Sequence, residues 1–357
     1  MSESKGGAGV RVGPIEWDVP IVGAPMAGGP TTPALVAAVG NAGGLGTLAA
    51  GYLTAEQLAP LLVEVESLTD RPYGVNLFLP GSDVGERLAE EIDEYRTRLR
   101  IDADTLGVEV GEPMFFDEDI DAKIAVLARH RPAFVSTTFA DPGRLLVDRI
   151  HSEVGALVFV TVTSPEEAAA ALASGADALI AQGVEAGGHR GIWHDDPDNS
   201  LGGPGISTVG LVRKIGKSTD VPIIAAGGVG VADDVRALLD AGATAVAVGT
   251  ALLCADEAGT SEAYRNAVWS WEYRGTVVTR AFSGRPARAL ANRFATMNVD
   301  APAAYPHVHY MTTPIRAAAT AAANTQTLNL WAGDGWDAVQ KGSAAQIIAT
   351  LTGQSPG

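Results

Sequence analysis

Short apolar runs rich in Val, Ile, Leu and Ala recur along the chain, each closed by Gly, Pro or a polar residue and followed by a stretch with helical spacing. Such runs suit strands buried on both faces, as in a parallel sheet covered by helices. They fall at Pro20 to Met26, Leu45 to Gly51, Tyr73 to Leu79, Phe134 to Phe139, Leu157 to Thr163, Ala178 to Gln182, Pro222 to Gly227 and Ala245 to Thr250. Helical spacing and start signals mark Thr31 to Asn41, Ala55 to Ser67, Pro165 to Ser174 and Ala232 to Ala241. Ser164, for instance, precedes Pro165 and two glutamates, an N-cap with proline at the first helical position and acids in the first turn. Eight strands alternating with helices predict an α/β fold that closes into a (β/α)8 barrel, the TIM barrel, over residues 11–255.

Two segments exceed what a minimal barrel needs. The connection from Leu79 to Phe134 is long, charged and acidic, and about a hundred residues follow Thr250. Long connections in compact domains are often binding elements. The expectation is that residues 256–357 form a mostly helical extension packed on the barrel, a partial lid and pocket wall, with help from the 80–130 excursion. The Ala-rich stretch Arg316 to Asn324 reads as a helix too short to span a membrane.

Composition narrows the function. With 357 residues, 46% of them hydrophobic, the chain can bury a full-size core. A formal net charge of -17 makes the average surface repel nucleic acid and anionic membranes, which predicts neither as a partner. A bound phosphate must then be held by local amides. Residues 1–10 show no apolar run behind a basic start, and no stretch of roughly 20 apolar residues occurs, so a cytoplasmic protein is expected. The single cysteine, Cys254, excludes an intrachain disulfide or a cysteine-based metal cluster and reads as a small core residue.

Candidate chemistry gathers at strand ends. The seventh run ends in Gly227, Gly228 and Gly230 before a helix, and the eighth ends in Gly249 and Thr250. Glycines let the backbone approach a ligand, a helix N-terminus points amides at an anion, and these two strand ends are where barrels commonly bind phosphate. The first run opens into Ala24, Pro25 and Met26, against which a flat ring could lie. Asn76 is a polar amide inside an apolar run and needs partners, which a ring edge with alternating donors and acceptors would supply. After the sixth run comes the densest polar, glycine-rich element, with Gln182 to bind a ring edge, Gly187 and Gly188 for close approach, and His189 as a general acid or base. His130, His151 and His194 lack supporting context. His307 and His309 alternate beside Tyr305; metal chelation lacks an acidic or cysteine partner nearby, and a wall of the substrate pocket is the better reading.

Taken together, APMAGG (Ala24 to Gly29), GVNLF (Gly74 to Phe78), AQGVEAGGHRG (Ala181 to Gly191), IIAAGGV (Ile223 to Val229) and VGTALL (Val248 to Leu253) resemble the nitronate monooxygenases, formerly 2-nitropropane dioxygenases. TRAFSGRPAR (Thr279 to Arg288) and the stretch from Tyr305 to LWAGDG (Leu330 to Gly335) resemble the larger class with a C-terminal extension. The likeness spans about residues 20–340. It implies a non-covalent FMN contacted by Pro25, Met26, Asn76, Gln182, Gly187, Gly188, Gly227, Gly228, Gly249 and Thr250, with Ala24 at the same strand end. It also implies His189 as the active-site imidazole, and oxidation of an alkyl nitronate or nitroalkane by dioxygen to a carbonyl compound and nitrite.

Two positions depart from that pattern: Thr138 stands where a histidine is usual, and Asp334 where glutamine is typical. The first places a hydroxyl at the substrate pocket, which touches substrate identity and leaves flavin binding intact. The alternatives are a flavin-dependent enoyl-acyl-carrier-protein reductase fed by NAD(P)H, a flavin-free phosphosugar barrel enzyme, and a non-catalytic scaffold. Association into a homo-oligomer stays open.

Overall fold

The computed structural model describes residues 9–270 and 272–354. Eight parallel strands form the central sheet: β1 (Ile21–Gly23), β2 (Gly46–Ala49), β3 (Tyr73–Phe78), β4 (Phe134–Thr138), β5 (Leu157–Val162), β6 (Ala178–Gln182), β7 (Ile223–Ala226) and β8 (Ala245–Val248). Each pairs with the next, β8 pairs with β1, and the ring closes through a parallel bridge between Val22 and Leu45. The (β/α)8 barrel expected from the apolar runs is therefore present. The strands are shorter than the runs because the last residues of each run turn out of the ladder into the loops above.

The helices follow their signals. α1 (Pro33–Asn41) starts behind Thr32, whose side chain accepts from the Leu35 amide, and α2 (Ala55–Leu68) has a full capping box of Thr54 and Gln57. α5 (Gly143–Arg149) precedes α6 (Pro165–Ala173), which Ser164 caps; α7 (Thr208–Ile215) and α8 (Ala232–Asp240) complete the run between strands, and α9 (Glu262–Trp269) and α10 (Arg293–Met297) follow β8. At the floor, a hairpin of Val10–Val12 and Ile15–Trp17 packs Val12, Ile15 and Trp17 with the stacked rings of Phe134 and Phe159 inside the barrel. The floor is thus plugged, and access is left to the C-terminal end of the strands.

That end is covered as anticipated, by both long segments. α3 (Ala89–Leu106) presents Ile92, Tyr95, Leu99 and Ala103 to Phe282, Phe294, Val308, Met311 and Ile315, a second apolar core above the barrel. α4 (Ile120–His130) then rejoins the outer helix ring beside α2. The Ala-rich helix is the second half of a longer one, α11 (His307–Ala321), and the two histidines expected in the pocket wall lie on its first turn. The extension does more than cover the mouth: α12 (Ala344–Leu351) lies between α1 and α8 in the ring, the place of the closing barrel helix. Cys254 is buried in a small apolar cluster beside Tyr264 and Leu330. Among the described residues no helix is long and apolar enough to cross a membrane.

Candidate active site

One large cavity opens at the C-terminal mouth, about 1410 Å³ of empty space including the part open to solvent. Ala24, Pro25, Met26, Asn76, Thr138, Gln182, Gly187, Gly188, His189, Gly227, Gly228, Gly249 and Thr250 all line it. Residues spread over more than two hundred positions of sequence are brought together because each sits at, or just past, the end of a barrel strand.

The β7 and β8 turns supply the anion-binding chemistry, though not in the expected way. The amides of Gly230 and Val231, at the start of α8, both donate to the Asp234 carboxylate at 2.9 Å. Those two amides are therefore taken up by the protein itself. The free donors come from the turns themselves: among the described residues, the amides of Gly228, Val229, Gly249 and Thr250 meet no protein acceptor. A cluster of four unpaired amides at one pocket end fits an anionic group such as a phosphate. Gly228 has φ +75° and a Cβ there would stand 3.2 Å from Glu185. The turn has neither the backbone freedom nor the room for a side chain.

Asn76 is 2% exposed and donates from Nδ2 to Ser136 Oγ and Thr138 Oγ1, both at 3.0 Å. Thr138 Oγ1 in turn lies 3.2 Å from Thr161 Oγ1. The hydroxyl where an imidazole was expected is thus part of the fixture that aims Asn76, leaving its Oδ1 without a protein donor. Gln182 is also tied down: its Nε2 donates to the His189 carbonyl at 3.0 Å, and its Oε1 accepts from the Gly191 amide at 2.7 Å. It shapes the loop that carries His189.

His189 is held from two sides. Its backbone pairs antiparallel with Ala287 in a small sheet of Gly188–His189, Ala287–Leu290 and Thr276–Thr279. Its Nε2 lies 2.8 Å from Ser283 Oγ. Enclosure, with the nearby Arg285 and Arg316 guanidiniums, pushes its pKa down to about 3, so the ring is neutral at physiological pH. Phe139, Tyr305 and Trp331 surround it, with ring centroids 5.8, 6.0 and 5.3 Å away.

Tyr305 and His309 stand one layer behind the cavity wall. His309 stacks on Tyr52 at 4.0 Å, and Tyr52 itself faces the cavity. His307 bonds to Asp83 at 2.8 Å, so the two histidines turn to different partners and form no chelate. His130 and His151 pair with Glu66 and Asp177 outside the site.

Four contributors escaped the sequence reading. Tyr52 and Phe139 follow β2 and β4 with φ of 68° and 87°, strained backbones of a kind that concentrates at functional sites. Their positions just past strand ends were a usable signal. Arg285 lies over the Phe139 ring at 4.1 Å and bonds the Ile192 carbonyl. Arg316 donates to the His309 carbonyl at 3.0 Å and to Thr312 Oγ1 at 3.1 Å. Among the described residues neither guanidinium meets a carboxylate within salt-bridge distance.

The C-terminal signature explains itself by contact. A Cβ on Gly187 would lie 2.4 Å from the Gly333 nitrogen, and one on Gly230 would lie 3.0 Å from the Gly335 carbonyl oxygen. The Gly333 amide donates to Thr250 Oγ1 at 2.9 Å. Asp334, the second departure, bonds Arg288 and Thr276 on the lid sheet, away from the cavity wall.

A closed barrel with free amides at its seventh and eighth strand ends and a neutral imidazole over its mouth defines a cofactor-dependent barrel oxidoreductase. The family model for nitronate monooxygenase matches residues 15–354, and the chain belongs to that flavin-dependent family. It is 39% identical to a nitronate monooxygenase of Pseudomonas aeruginosa over 93% of this chain and 95% of the relative. The crystal structure of a nitroalkane oxidase from Streptomyces ansochromogenes superposes with a TM-score of 0.90 at 41% identity, covering 95% of this chain and 96% of that one. FabK from Thermotoga maritima follows at a TM-score of 0.68 and 26% identity, covering 94% and 92%.

Proposed function

We propose that the protein oxidises an alkyl nitronate or nitroalkane, with FMN as cofactor and dioxygen as acceptor, to a carbonyl compound and nitrite. The observation that carries this reading is His189 on the cavity wall beside two guanidinium groups without counter-ions, in a protein of net charge -17. Local positive potential in an acidic protein favours a small anion, and a nitronate is one.

The residues fit FMN. The unpaired amides of Gly228, Val229, Gly249 and Thr250 suit its phosphate, and Ala24, Pro25 and Met26 with Gly187 and Gly188 offer main chain for the ring. The open Oδ1 of Asn76 is an acceptor for a ring N–H, and Gln182 keeps the His189 loop in place. When bound, the flavin supplies the electron transfer from substrate to oxygen. The protein's part is to orient the anion, exclude water and handle protons. A nitronate needs no proton removed; a nitroalkane does, and neutral His189 is the base at hand. Thr138, Tyr305 and His309 contribute to the substrate side, Thr138 at the wall and the other two by backing Tyr52 and His189. Residues 11–255 supply the strands of the flavin barrel, and the extension beyond them the lid, the wall and the closing helix α12.

Nitrite release from a panel of nitronates and nitroalkanes, run on flavin-loaded protein, tests the reading. Absence of nitrite with every member, together with rapid anaerobic flavin reduction by NADH, would transfer the assignment to the enoyl-acyl-carrier-protein reductase alternative. That alternative has less support, because the nitronate monooxygenase match extends through the C-terminal extension.

A further inference from the structure

We propose that Ser283 is a positioning residue that fixes the tautomer of His189, with the proton on Nε2 and the lone pair of Nδ1 left as the proton acceptor for substrate. The inference rests on the functional reading above.

Donors and acceptors around Ser283 Oγ set the tautomer. Ser283 is 1% exposed and its Oγ has three neighbours: His189 Nε2 at 2.8 Å, the Arg285 carbonyl at 3.2 Å and the Arg285 amide at 3.3 Å. A hydroxyl has one proton to donate and two lone pairs to accept with. The Arg285 amide donates. The Arg285 carbonyl accepts, and among the described residues Ser283 is its one donor. If the hydroxyl proton goes to that carbonyl, the remaining lone pair accepts from His189 Nε2–H and all three contacts are used. If the proton turns to Nε2 instead, the Arg285 carbonyl is left without its donor in the lid.

The rest of the surroundings agree. Among the described residues Nδ1 of His189 meets no protein donor or acceptor, and it opens on the cavity. The charged and titratable groups around the ring are Arg285 from the Ser283 loop, Arg316 and His309 from α11, and Tyr305 ahead of α11. Among the described residues no carboxylate faces the ring to claim an N–H at Nδ1, as the acid of a Ser-His-Asp triad would. The serine does the orienting from the other nitrogen.

With a neutral nitroalkane the step balances without further reagents. The α C–H bond breaks, its proton passes to Nδ1, and the electron pair moves into the C–N bond and onto a nitro oxygen. The products are a nitronate anion and an imidazolium beside it, the latter still donating from Nε2 to Ser283. A substrate delivered as nitronate bypasses this step.

Two measurements test the proposal. In protein labelled with 15N-histidine, two-bond 1H–15N correlations distinguish the tautomers, and the His189 signals are identified by their absence in His189→Asn. The Nε2–H pattern is expected, and an Nδ1–H pattern in the wild type overturns the proposal. The second is the ratio of kcat on a nitroalkane to kcat on its preformed nitronate. Ser283→Ala is expected to lower that ratio about tenfold or more, in the range of general-base effects, and Ser283→Thr, which keeps a hydroxyl, to restore most of it. An equal loss with both substrates, or no rescue by threonine, marks Ser283 as structural only. If the wild type releases no nitrite from either substrate, the functional reading falls, and the spectrum still decides the tautomer.

Discussion

Asn76 Nδ2 and Thr138 Oγ1 lie 3.0 Å apart inside the barrel mouth, and the hydroxyl reaches on to Thr161 at 3.2 Å. Together with Ser136 Oγ, also at 3.0 Å, that contact holds the side-chain amide in a single orientation. Thr138→Val keeps the volume and deletes that acceptor. We expect flavin binding to weaken roughly fivefold, about 1 kcal/mol for a lost buried hydrogen bond. Titration of apoprotein by flavin fluorescence quenching reads it; unaltered affinity would show that Ser136 alone aims Asn76.

His189→Asn separates two roles. The amide cradle lies on β7 and β8, away from the imidazole, so flavin content should stay near wild type while nitroalkane turnover drops about a hundredfold or more. Absorbance of the purified variant together with nitrite assays gives both quantities. Concurrent loss of flavin would contradict the division.

The acid limb of stability follows from the same ring. Its folded pKa of about 3 lies below the unfolded value of about 6.5, so between those pH values the unfolded chain binds more protons. The site therefore costs no stability above pH 6.5 and becomes destabilising as pH falls through that window toward 3. Chemical denaturation of the wild type and of His189→Asn at several pH values should show a gentler acid slope for the variant. Equal slopes would mean that the imidazole titrates normally when folded.

Arg285 is a cation in the lid wall whose Nε meets no acceptor. Arg285→Met retains length and packing over Phe139 but removes the charge. KM for a nitronate should rise about tenfold, with a smaller change for a neutral nitroalkane, because field rather than contact is lost. The discriminating quantity is the difference between the two substrates, and a uniform change would point to packing.

Gly187→Ala tests the seam between loop and lid, where a methyl would stand 2.4 Å from the Gly333 nitrogen. Overpacking there should cost roughly 1 to 3 kcal/mol and lower Tm by several degrees. A melting curve superposable on the wild type would refute that contact.

Much of this was legible in the sequence. Parallel strands buried on both faces announce themselves as unbroken apolar runs, and glycine-rich strand ends mark where a ligand meets backbone. Fine detail was less accessible. The Gly230 and Val231 amides looked available until the fold brought Asp234, three or four residues on, back to accept from them. Ser283 and Arg285 follow His189 by 94 and about a hundred residues, and only the pairing of Gly188–His189 with the lid strand makes them neighbours. His307 and His309 alternate in sequence, which suggests a strand, yet the pattern sits on a helix turn where alternate residues diverge.

The place of α12 beside α1 carries a consequence for synthesis. The first barrel helix emerges from the ribosome about three hundred residues before its outer neighbour, and contacts of such long range cannot form until that neighbour has been made. A nascent chain halted after β8 would hold every ring strand and still show a bare apolar flank on α1, a natural surface for a chaperone to shield until translation ends.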